Sequence, residues 1–71
     1  MTEMIEILCR RLDAAKCVYV LRVVAAGVVQ IDVYRTEFYD MAKPIAMAVE
    51  LEYGCQFELN LRLNHPPGET V

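Results

Sequence analysis

The sequence predicts an α+β fold, a two-layer sandwich of order α-β-β-α-β in which a three-stranded sheet carries two helices on one face. Three observations predict it. Met4, Ile5, Leu8, Leu12 and Ala15 recur at helical spacing near the start of the chain. From Cys17 to Tyr34 the chain turns β-branched and aromatic, broken once at Gly27. Finally, Phe57, Leu59, Leu61 and Leu63 alternate strictly with Gln56, Glu58, Asn60, Arg62 and Asn64.

The first element is an amphipathic helix over about residues 3 to 16, with Glu3, Glu6, Arg10 and Asp13 opposite its apolar stripe. Thr2 is placed to cap it, Glu3 favours the positive end of the helix dipole, and Glu6 precedes Arg10 by one helical turn. A hairpin follows. With Ala25-Ala26-Gly27 as a three-residue loop and Gly27 left-handed, Val24 faces Val28 and odd positions pair with odd ones. Tyr19, Leu21 and Val23 then share an apolar face with Val29, Ile31 and Val33 for a helix to cover. The opposite face carries Val18, Val20, Arg22 and Val24 beside Val28, Gln30, Asp32 and Tyr34, and is half apolar where a solvated face is ordinarily polar.

Residues 36 to 53 fit two templates. Phe38, Ala42, Ile45, Ala46, Val49 and Tyr53 form a helical stripe, Pro44 suits a first helical turn, and Gly54 suits the position just past a helix end. Ile45, Met47, Val49, Leu51 and Tyr53 also alternate as a strand does, so residues 44 to 53 could instead add a strand, giving α-β-β-β-β. The helix is preferred because Ala, Met, Leu and Glu dominate the segment. On it, Met47 and Leu51 point outward. The last element is a strand with one buried face, stopped by His65-Pro66-Pro67-Gly68. Residues 1 to 64 are thus read as a single domain and residues 65 to 71 as a disordered tail.

At 71 residues, one core stabilises only marginally, yet 56% of the chain is hydrophobic. So much apolar surface in so short a chain points to a homodimer or an obligate complex with another protein. Val18, Val20, Val24, Val28 and Tyr34 on the sheet, with Met47 and Leu51 on the helix, are the candidate interface. A net charge of −3 and the scattering of the basic residues disfavour nucleic acid as a partner. Cys9, Cys17 and Cys55 are odd in number, lack paired spacing and sit in apolar contexts, which reads as buried free thiols in a reducing compartment. The acidic Met1-Thr2-Glu3 start lacks the basic region of a secretory signal, and the Val23 to Val29 run is too short to span a membrane. The expected location is the cytoplasm.

The residues give little support to chemistry. The chain has no serine, so a serine nucleophile is impossible. Its one histidine, His65, lies in the Pro-rich tail, where no scaffold orients it as base or ligand. Three dispersed cysteines with that histidine do not have zinc-ligand spacing. Gly27, Gly54 and Gly68 form no phosphate-cradling loop, and no cofactor is implied. Glu50 and Glu52 diverge on a helix, Asp32 is read as lying on a solvated sheet face, and a cluster of Tyr34 with Arg22, Arg35 and Arg62 has too few aromatics to stack bases. The terminal Glu69-Thr70-Val71 matches carboxylate-capturing grooves only as closely as chance allows.

The expected function is a non-catalytic protein-interaction module, a homodimeric accessory or inhibitory protein. By analogy with other small acidic chains, that class includes phage-encoded antagonists of host machinery. The alternative is a small-ligand-binding regulator with a pocket at an oligomer interface, lined by Tyr19, Tyr39 or Tyr53.

Overall fold

A computed structural model describes residues 2 to 63, so the tail from residue 64 onward, with His65 and the domain boundary at residue 64, lies outside the described residues. Helix α1 (Thr2–Ala14) leads into a hairpin of β1 (Val20–Val23) and β2 (Val29–Val33), then helix α2 (Thr36–Tyr53) and strand β3 (Phe57–Leu61). The order is α-β-β-α-β, and the sheet is mixed. β2 is central, antiparallel to β1 and parallel to β3. A parallel neighbour requires a crossover connection, and α2 supplies it, which decides residues 44 to 53 in favour of helix.

Helix α1 ends at Ala14, two residues before the expected boundary, because Lys16 turns left-handed (φ 61°). The Cys17 amide donates to the Leu12 carbonyl at 3.0 Å and the Lys16 amide to the Asp13 carbonyl at 2.9 Å, the paired bonds of a Schellman cap. Cys17 and Leu12, thus brought close, are both buried in the core. The hairpin has the register the loop chemistry predicts, with Leu21 opposite Ile31 and Val23 opposite Val29. Gly27 is left-handed (φ 76°), as expected, and so is Ala26 (φ 73°), the third residue of the turn closed by the Gly27 amide on the Val24 carbonyl.

Helix α2 starts eight residues before Pro44, so the proline sits in the helix interior rather than in its first turn. Pro44 and Asp40, whose carbonyl a proline cannot bond, are both exposed, so the break in the bonding pattern falls on the solvent side of the helix. Gly54 ends the helix in the left-handed conformation, its amide donating to the Glu50 carbonyl. The Glu50 side chain then accepts the Phe57 amide at 2.8 Å, which aims the chain into β3.

Met4, Leu8 and Leu12 of α1, Ala42, Ala46 and Val49 of α2, and Ile31 and Val33 of β2 form one buried cluster, so both helices cover the odd-numbered sheet face. A bidentate Arg11–Glu52 ion pair at 2.8 and 3.0 Å ties the helices together at the surface. Three residues expected under the helices escape them. Val23 is exposed with the whole hairpin tip, which projects past the helical layer, and Leu61 and Leu63 are exposed, Leu63 to 82%, because pairing with β2 ends at Leu61. Of the three thiols only Cys17 is buried; Cys9 and Cys55 are half-buried, and all three are free.

Lys16 and Ala26 hold a conformation that side chains with a Cβ resist. Replacing either by glycine is expected to raise stability by about 0.5–1 kcal/mol, measured by urea denaturation.

Candidate interaction surfaces

The even-numbered face of the sheet carries no helix, and its side chains form a grid that the pairing registers define. Arg22, Gln30 and Glu58 make one row across the three strands, and Val20, Asp32 and Asn60 the next. The Val24 amide bonds the Val28 carbonyl on one side of these rows, and the Arg62 amide bonds the Val33 carbonyl on the other. The β1 column is therefore mostly valine, and the β3 column is polar throughout.

Asp32 stands at the centre. The sequence places it on a solvated face, yet it is 1% exposed and the only buried polar or charged residue among those described. Its neighbours account for this. Arg22 Nη2 donates to Asp32 Oδ2 at 2.5 Å, Arg62 Nε reaches the same oxygen at 3.1 Å, and Asn60 Nδ2 donates to Oδ1 at 3.1 Å. The carboxylate is thus shared by all three strands and roofed by its own partners. Burial alone would raise its pKa, but the bonds from Asn60, Arg62 and Arg22 outweigh that and hold it below the ordinary aspartate value. The two arginines remain 49% and 43% exposed, so each presents its unused donors to solvent from a fixed position. Beside them, Gln30 Nε2 donates to Glu58 Oε2 at 3.2 Å.

The candidate interface residues do not make one surface. Val18, Val20, Val24, Val28 and Tyr34 belong to the sheet side, where Val18, Val24 and Val28 are exposed and Val20 and Tyr34 half-buried. Met47 and Leu51 lie on the solvent side of α2, across the helical layer, and are 52% and 85% exposed. The remaining candidates disperse. Glu50 binds backbone and Glu52 binds Arg11, so the two carboxylates share no site. Arg35 pairs with Glu37 at 3.8 Å, away from the Asp32 network. The Tyr19 hydroxyl donates to Asp13 at 3.0 Å, while Tyr53 sits beside Glu3 at the other end of α1, about 15 Å away along the helix. Burial pushes the Cys17 thiol up, and Cys55 likewise, with Glu50 adding to the latter.

Among the described residues, no three His, Cys, Asp or Glu side chains cluster closely enough to hold a metal ion. No helix among them is long and apolar enough to cross a membrane. The chain matches no family model, no curated protein and no solved structure. What defines it is its own architecture, a small α+β domain with a locked polar centre on one side and an apolar helix stripe on the other.

Asn60 and Glu58 were not singled out by sequence. Their alternation in β3 was the available signal, and it needed the parallel register to bring them beside Asp32 and Gln30.

A depressed carboxylate contributes stability above its unfolded pKa and loses it as pH falls through the lower folded value. Asp32 therefore contributes fully at neutral pH, and its contribution fades only as the pH drops below about 4. Asp32→Asn is expected to cost about 1–3 kcal/mol at pH 7 and to flatten the loss of stability as the pH falls below about 4, read from denaturation midpoints.

Proposed function

We propose that this chain is a non-catalytic protein-interaction module, a homodimeric accessory or inhibitory protein that engages another protein through the uncovered face of its sheet. The observation that carries this reading is the Asp32 network. Arg22 and Arg62 are held by a buried carboxylate with donors to spare, next to a column of exposed valines.

Arginines that are already ordered lose little further side-chain freedom on binding, which removes part of the usual cost of association. Apolar contact beside fixed, directional donors is the composition of interface hot regions. A fitting partner surface has an apolar ridge to lie along Val18, Val24 and Val28 and carboxylates or carbonyls to take the free arginine donors. Nucleic acid fits less well, because Asp32 cancels one of the two arginine charges and the chain is acidic overall. The ligand-binding alternative receives less support, since the Tyr19 and Tyr53 hydroxyls lie at opposite ends of α1.

The test is comparative capture from the source cells. Wild-type protein is expected to retain a stoichiometric partner that the double variant Val18→Glu/Val24→Glu loses by at least about ten-fold, with the melting temperature unchanged because both sites are exposed. Retention of no partner, or of one indifferent to these substitutions, would refute the sheet-face reading.

A further inference from the structure

The solvent side of α2 is a second surface with its own pattern. Asp40, Pro44, Met47 and Leu51 follow one another at intervals of four, three and four residues, the spacing of the a and d positions in a two-helix seam. All four are exposed, and the buried residues Ala42, Ala46 and Val49 lie on the opposite side of the same helix. From Pro44 onward the helix is thus apolar on both sides, which is the pattern of a helix covered all round.

We infer that this stripe pairs with the same stripe of a second copy, the two α2 helices running antiparallel about a two-fold axis near Met47. The charges flanking the seam argue for this occupant and this direction. Lys43 and Glu50 both hold the g position, directly before Pro44 and Leu51. In an antiparallel pair, g positions face g positions, so Lys43 of each copy meets Glu50 of the other, giving two reciprocal ion pairs from one self-complementary surface. A parallel pair would set g against e, where Met41 and Ala48 offer no charge. Lys43 is exposed and engaged in no ion pair among the described residues. Glu50 spends one carboxylate oxygen on the Phe57 amide and keeps the other. Asp40, which is exposed, closes the seam at one end.

This geometry rests on the homodimeric part of the reading above and gives it a location. The seam covers only about three helical turns, so the interface falls below the roughly 1,200 Å² of a stable complex, and the dimer forms in the micromolar range or above. Pairing through α2 leaves the two Asp32 faces on the outside of the dimer, free to engage partners.

Sedimentation equilibrium of the full chain from about 10 μM to about 1 mM tests it. Wild-type protein is expected to dimerise, and Leu51→Glu to be monomeric with an unchanged melting temperature. Lys43→Glu is expected to weaken the dimer roughly ten-fold by turning two attractions into two repulsions. Added salt then weakens the wild-type dimer and strengthens that of Lys43→Glu, opposite responses that a merely structural role would not produce. A dimer indifferent to Leu51→Glu overturns the α2 seam and leaves self-association to another surface. A dimer that Leu51→Glu abolishes but Lys43→Glu does not weaken overturns the antiparallel register. A wild-type monomer throughout overturns the inference together with the homodimeric reading, while the sheet-face proposal stands or falls on its own capture experiment.

Discussion

A carboxylate removed from water has to find its charge partners inside the protein, and Asp32 finds them on both neighbouring strands. Arg22 comes from β1, Asn60 from β3 and Arg62 from the residue just beyond it, and all three converge on one side chain of the central strand. Hydrophobic burial on the other face would tolerate several arrangements of Leu, Val and Ile, because apolar contact is not directional. The Asp32 network is directional. A two-residue slip of β3 would keep every leucine facing the helices but would carry Asn60 and Arg62 out of reach. The interaction thus specifies the sheet more than it stabilises it, since burying a charge consumes much of what its pairing returns.

The same network explains why an uncovered sheet face can persist. Its centre is closed by polar groups satisfied among themselves, and its apolar content lies around them, in the valines of the hairpin and Tyr34. The helical side has a different character. There the core is filled from both helices, and α2 still has apolar side chains left over at Met47 and Leu51. One helix therefore serves two purposes, roofing the sheet with small residues and turning larger ones outward. Its interior proline fits that division, since the unbonded carbonyl falls on the outward side.

Much of the fold was legible because it is written in local patterns. The hairpin register followed from the loop length and the tolerance of Gly27 for positive φ, and the first helix from its stripe. The Gly54 stop and the richness in Ala, Met, Leu and Glu identified α2, even though its alternation allowed a strand. What escaped was non-local. Whether Asp32 is solvated depends on which residues a strand 28 positions away sets beside it, and no window around Asp32 contains that information. Alternation puts Val23, Leu61 and Leu63 on the covered face, but the extent of the helical layer depends on tertiary packing. The early end of α1 at a left-handed lysine defeats a rule that looks for glycine.

The position of Asp32's partners along the chain also orders the folding reaction. The hairpin supplies one arginine, whereas the other two ligands arrive only with β3, after the long α2 crossover has closed. Before that closure Asp32 lies open to water with one arginine beside it, and its burial and full set of partners arrive together with β3. Completing the network thus depends on contacts distant in sequence, a topology that slows folding. The centre of the sheet acts as a check on completeness: the Asp32 carboxylate has all its partners only when the last strand is in place.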